Sequence, residues 1–175
     1  MSNQSVLNMI PENTSLMQTA RYTFIFPAMP FLVYYAQTTM IPGVSTSAVS
    51  RETPFSNTWH HGDKLVYEPL TITALIDEDM RVWEETYNWL RALTTPREYR
   101  EYIRFMNKDN KPYQDAILTV NTNANVPNIR YKFTYCHPIA LSNVQLNTTL
   151  NADDYVMTAE ITFRYDTFEI ERLTN

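Results

Sequence analysis

The side chains able to do chemistry fall into a few small groups. His60, His61 and Asp63 are the best candidate for holding a metal. Adjacent residues of an extended chain point to opposite sides, so the two imidazoles need a distant third ligand, and a structural zinc wants four. A polar histidine pair on a loop is the simpler reading. His137 beside Cys136 meets the same objection. Cys136 lies in an apolar strand just before Pro138, where a thiol acts as a small buried hydrophobe and not as a nucleophile. Gly43 and Gly62, the two glycines, stand 19 positions apart and cannot build a phosphate cradle. Glu84-Glu85 and Asp153-Asp154 fall in a helix and a turn, where solvation accounts for them. The residues therefore predict no catalytic, cofactor-binding or metal site, and they leave a structural or binding role.

The elements that position these groups centre on Lys64–Leu93. Leu70, Ile72, Ala74 and Ile76 alternate with Thr71, Thr73 and Leu75, the period of a strand with one face on a core. From Asp77 the period changes: Met80, Trp83, Tyr87, Leu90 and Thr94 step by three and four. The spacing predicts one amphipathic helix over about 78–93, with that stripe inward. Asp77 is placed to cap it, and Glu78 and Asp79 fall in its first turn, where the backbone dipole favours negative charge. Trp83 is assigned to the core. Trp89, six positions on, points elsewhere and is read equally as core or as a subunit contact.

Earlier in the chain, residues 1–19 show few apolar positions in any period and include Pro11, as expected of an N-terminal arm. Tyr22, Phe24 and Phe26 share one strand face, and Phe31–Gln37 reads as a second strand paired to it in a hairpin. Residues 42–63 are rich in Ser, Thr and Asn. Connections longer than roughly 12–15 residues in a compact domain are usually functional or disordered. The weak alternation of Val44, Thr46 and Ala48 suits an extended arm, which helps an oligomer more than a monomer.

Further on, Thr95-Pro96 ends the helix and Arg97–Asn107 suits a short helix or a charged irregular segment. Asp109–Pro112 reads as a turn. Ala116–Thr122 and Arg130–Cys136 read as strands, His137-Pro138 as a break, and Ile139–Leu146 as the next strand. Met157, Ala159, Ile161, Phe163 and Tyr165 alternate without exception against polar neighbours, and the shift of phase at Phe168 predicts a bend near Asp166-Thr167. About seven strands and one main helix give an α+β chain, mainly antiparallel β, as a sandwich or barrel with one flanking helix. Residues 20–175 are expected to form one domain.

Composition narrows the partners. Twelve Tyr, eight Phe and three Trp against two Gly favour sheet. A formal charge of −5 and no basic block argue against a grip on phosphates, and Arg97, Arg100 and Arg104 are interleaved with Glu98 and Glu101. An acidic surface still suits DNA that must slide past without sticking. No run of about 18 apolar residues predicts a membrane span, and the N-terminus does not look like a signal peptide. With Cys136 alone there is no internal disulfide, so folding in the cytoplasm is expected.

The order of elements resembles the tail-tube proteins of contractile-tailed bacteriophages over most of residues 20–170. The residues that carry the likeness are the aromatic pair at Tyr22–Gln37, Ile41-Pro42-Gly43 opening the Ser/Thr-rich arm, and Leu70-Thr71-Ile72-Thr73 running into an acidic helix with Trp83 and Trp89-Leu90. Val144-Gln145-Leu146, the polar turn through Asn151, and the strand ending in Phe163-Arg164-Tyr165-Asp166 complete it. The related tubes of bacterial injection machines share that fold.

The resemblance implies a structural virion protein of the tail, made in the host cytoplasm, with copies closing into a hexameric ring. Rings would stack into a tube that the genome traverses, with tail sheath and baseplate proteins as neighbours. It also implies that the long arm touches adjacent rings, making Val44, Val49, Phe55 and Trp59 candidates for intersubunit contact. Thr158, Glu160 and Thr162 become candidates for the lumen face. The N-terminal arm and the insert at Arg97–Pro112 exceed a minimal tube subunit, which keeps a specialised baseplate or tube-terminus ring as an alternative. Two other classes remain: a monomeric β-sandwich module stacking Tyr and Trp on a ligand, and a small metal-dependent enzyme using His60, His61 and Asp63.

Overall fold

A computed structural model describes residues 15–106, 112–146 and 156–173. The N-terminal expectation over residues 1–14, the turn at 109–111, Asp153-Asp154 and the turn through Asn151 lie outside them. Nine strands and three helices occur among the described residues, and every strand pairing is antiparallel. The antiparallel architecture with a main flanking helix is the one expected.

The long strand β7 (Pro127–Leu141) is the spine. Its first half pairs with β6 (Gln114–Asn121) and β9 (Thr167–Arg172), and its second half pairs with β8 (Thr158–Arg164). Between the halves, Gln114 faces Cys136 while Ala116 faces Phe133, so β7 carries one extra residue there. Tyr135 takes up that residue at φ 56°, a left-handed conformation. The buried set accordingly passes from Phe133 to Cys136 and Pro138. The expected break at His137-Pro138 is therefore a bulge at Tyr135, and one strand runs through it. A second register shift between Pro138 and Ala140 accommodates the missing proline amide.

The partner chain bends in step. β8 and β9 are separated by Tyr165-Asp166, and the Asp166 amide donates to the Thr134 carbonyl at 3.1 Å. This is the bend expected near Asp166-Thr167. Together the two kinks fold the sheet over a shared core, with Phe133, Phe163 and Tyr165 at the crease.

The Tyr22–Gln37 hairpin is not formed. β1 (Tyr22–Ile25) pairs with β6, and β2 (Ala36–Thr39) pairs with β5 (Leu70–Leu75). Between them Pro30–Tyr35 is helix α1, with proline in its first turn, where the lost amide costs nothing. Along the path β1-β6-β7-β8-β5-β2 the two strands sit at opposite ends, so the sheet is open. A hydrogen bond from the Tyr22 hydroxyl to the Gln37 carbonyl, 2.8 Å long, links those ends.

Strand β5 buries Leu70, Ile72 and Ala74 as its alternation requires. Helix α2 spans Arg81–Thr94, slightly later than expected, so Glu78 and Asp79 precede it and Glu84 is the acid of its first turn. Asp77 still serves its start, because its Oδ1 accepts from the Arg81 amide at 2.9 Å. The buried stripe differs from expectation by one position: Val82, Thr86, Trp89 and Ala92 face the core. Met80 and Tyr87 are 38% and 41% exposed, and Trp83 and Leu90 are half-buried. The helix carries two adjacent apolar stripes. Thr86 lets the inner one be buried by returning its hydroxyl to the Val82 carbonyl at 2.9 Å.

Trp89 settles its own ambiguity by filling the centre of the core. Its ring stacks on Phe105 at 5.5 Å and 3°, and packs against Phe26 at 5.6 Å. Phe105 follows α3 (Tyr99–Arg104), the short helix in the charged segment. Arg91 of α2 holds α3 by an ion pair with Glu101 at 2.5 Å.

Candidate functional site

The extended arm expected over 42–63 is a two-stranded ribbon, β3 (Val44–Glu52) and β4 (Asn57–Tyr67). All of β3 is exposed, and so is β4 apart from Gly62 and Tyr67. The sequence hid the pairing because Ser- and Thr-rich strands with no buried face carry only a weak alternation. At the tip, Thr53 and Ser56 close a turn around Pro54-Phe55, with the Thr53 amide donating to the Ser56 carbonyl at 3.0 Å.

Midway, the register jumps between Thr46 and Ala48, and Gly62 lies at the jump. A Cβ on Gly62 would stand 2.1 Å from the Ser47 hydroxyl and 2.5 Å from its carbonyl oxygen. Glycine is needed there for close approach of two backbones. At the base, the Glu68 amide donates to the Gly43 carbonyl at 3.0 Å. Arg164 Nη1 and the Tyr165 hydroxyl reach the carbonyls of Tyr67 and Glu68 at 3.1 and 2.7 Å. The Tyr67 ring meets those of Tyr165 and Phe168. The ribbon thus stands on the crease of the core.

The four arm candidates lie uncovered. Val44 is 46% exposed, Val49 57%, Trp59 68% and Phe55, at the tip, 99%. Pairing puts Val44 and Trp59 on one face, with Thr46, Ala48 and Ser50, and Val49 on the other. Leu65 and Val66 are also exposed on β4 and were missed, because they fall outside the polar stretch that marked the arm.

The lumen candidates sit together on the outer face of the β5–β8 sheet. Thr158 and Glu160 are exposed and Thr162 is half-buried. Across the ladder they face Leu75, Thr73 and Thr71 respectively, a neighbourhood that follows from the pairing of β5 with β8 and not from the alternation of either strand. This face is mostly hydroxyl. The outer face around β7 and β9 is instead charged, with Arg130 paired to Glu171 at 3.1 Å and Lys132 opposite Glu169.

The chemical candidates do not converge. His60 and His61 oppose Val49 and Ala48 on the two faces of the ribbon. Among the described residues, no cluster of His, Cys, Asp and Glu could hold a metal ion. Burial pushes the Cys136 thiol up to about 12, which leaves it protonated at neutral pH. Among the described residues, no helix is long and apolar enough to cross a membrane.

Comparisons with known proteins agree on the architecture. No curated protein matches the sequence. A solved chain from the baseplate of the anti-feeding prophage superposes with TM-score 0.64 at 12% identity, covering 91% of this chain and 97% of that one. The tube-terminating cap of the same particle gives 0.60 at 9% identity, covering 97% and 99%. A chain from the sheath–tube complex of an extracellular contractile injection system, PVC, gives 0.57 at 11%, with the same two coverages. These likenesses establish the fold. The family model for phage tail tube protein matches residues 3–171. Nearly the whole sequence is spanned, and the chain belongs to the phage tail tube protein family.

Proposed function

We propose that this chain is the subunit of a hexameric ring that stacks into the tail tube through which DNA passes. The observation that carries the reading is the β3–β4 ribbon, which displays Val44, Val49, Phe55 and Trp59 with nothing among the described residues to cover them. An isolated two-stranded ribbon is marginal in water, so a neighbouring copy that receives it supplies the missing burial. A head-to-tail contact of this kind builds rings when the rotation closes and a stack when it repeats along an axis.

The hydroxyl face of Thr71, Thr73, Thr158 and Thr162 with Glu160 is our choice for the lumen. It offers hydrogen bonds to water, and the one cation that β8 adds to this face, Arg164, is engaged with the Tyr67 carbonyl at 3.1 Å. The rest of the proposal is a role without catalysis, residues 20–175 as one unit, sheath and baseplate proteins as outer neighbours, and a place in the virion tail. A specialised ring of the same fold is the second reading. It is favoured by the likeness to a baseplate chain and a tube cap.

Negative-stain electron microscopy of the purified protein, paired with its mass in solution, tests the proposal. Rings of hexameric mass or stacked tubes support it. A monomer that also stays inert beside preformed tail baseplates overturns it.

A further inference from the structure

Three helices meet at one carboxyl group. Glu85 of α2 lines a cavity of about 250 Å3 together with Pro27, Ala28, Arg104, Phe105 and Gln114. Its Oε2 is sealed from solvent and has no hydrogen-bond partner. Among the described residues no ion pair joins it to Arg104. The Arg104 guanidinium instead lies over the Phe105 ring, 5.6 Å from its centroid. A sealed carboxylate oxygen without a donor is unfavourable, whereas the neutral acid suits the site. Burial accordingly pushes this carboxyl up to about 7, against the opposing pull of the Arg104 charge and the Phe31 amide.

The groups around it come from every element at the junction. From α3 the ionisable group is Arg104, in that helix's last turn. From α1 comes the Phe31 amide, and the ionisable side chains of that helix are Tyr34 and Tyr35. Pro27 and Ala28 bring no charge. The carboxamide of Gln114, on β6, donates to the Phe105 carbonyl at 3.1 Å. One turn back on α2, Arg81 is engaged with Asp79 at 2.7 Å and covers the Phe31 ring.

We propose that Glu85 is a proton-operated joint between α1, α2 and α3. The neutral acid holds the arrangement seen here. Loss of its proton draws the Arg104 guanidinium off Phe105 toward the carboxylate, because a charge-assisted hydrogen bond then becomes available. Phe105 is the ring stacked on Trp89, so the change resets how α3 lies on the core. It also alters what the outer surface of α1 and α3 presents, where Tyr34, Tyr99 and Ile103 are exposed.

The test follows the Trp89 indole resonance and tryptophan fluorescence of the full chain from about pH 5 to 9. The expected result is a reversible change with a midpoint near 7 in the native protein, absent in Glu85→Gln. Arg104→Gln should remove most of the Trp89 change, since the guanidinium that moves is gone, and should shift any remaining midpoint upward, since it removes the charge that favours ionisation. A native protein with no transition overturns the proposal. So does a transition that survives Glu85→Gln, which would assign it to other groups, or one of unchanged size and midpoint in Arg104→Gln. Should Glu85→Gln fail to fold, the size and midpoint of the change in Arg104→Gln decide alone.

Discussion

The Tyr165 hydroxyl donates a 2.7 Å hydrogen bond to the Glu68 carbonyl, joining the kink between β8 and β9 to the base of the ribbon. Tyr165 is buried, and desolvation pushes its phenol up to about 12, so it stays a donor at any ordinary pH.

Tyr165→Phe keeps the ring packing and deletes that bond. Leaving the carbonyl short of a donor costs about 1–2 kcal/mol. Amide exchange in β3 and β4 should rise more than in β5 and β8, as measured by hydrogen–deuterium exchange. Uniform acceleration would mean that the bond does not serve the ribbon specifically.

Gly62→Ala forces a methyl against the Ser47 backbone. The ribbon's register should shift there while the core, which Gly62 does not touch, keeps its thermal midpoint. Circular dichroism on heating and microscopy of assemblies check this together. Normal tubes from Gly62→Ala would show that the kink is dispensable.

Trp59→Asp and Phe55→Asp should leave the subunit folded and raise the concentration needed for stacking by about tenfold or more, as loss of an aromatic anchor does. Sedimentation against concentration reads the effect. Assembly unchanged in both variants would remove the ribbon from the interface.

Two tryptophans on one helix should differ sharply. Trp89→Ala empties the centre of the core and should cost about 3–5 kcal/mol in denaturant unfolding. Trp83→Ala, on the half-buried stripe, should cost about 1 kcal/mol. Equal costs would contradict the phase of α2 described above.

Glu85 gives stability a direction with pH. Its folded value lies above the ordinary carboxylate value, so the folded state binds the proton more tightly. Stability is then expected to fall as pH rises from about 4.5 through about 7. Denaturant midpoints of Glu85→Gln should lack that decline, and a decline of the same size in the variant would assign it to other groups.

The parts of the fold legible in the sequence are those where one face is wet and the other dry. β5 and β8 alternate strictly because each has a core side and a polar side, and the bend after Tyr165 showed as a change of phase. Where that contrast fails, the sequence misleads. Phe31–Tyr35 is aromatic enough to read as strand, and only Pro30 hinted that a helix begins there. α2 offers two apolar stripes, and polar Thr86 disguised the inner one. The bulge at Tyr135 depends on a single backbone torsion, which no residue preference announces. The arm candidates emerged from their surroundings, as apolar residues isolated in a polar stretch, whereas Thr71 and Thr73 joined the hydroxyl face only once β5 was paired with β8.

The anchoring of the ribbon has a mechanical consequence. Its strands lie antiparallel, and β4 passes through Glu68 and Pro69 directly into β5, which is zipped along its length to β8. A pull at Phe55 therefore loads the central sheet through continuous strand, and Tyr67, wedged against Tyr165 and Phe168, braces the corner. Strain imposed on the projecting tip is delivered to the central sheet, so that in the proposed stack a subunit would not unravel first at its own handle.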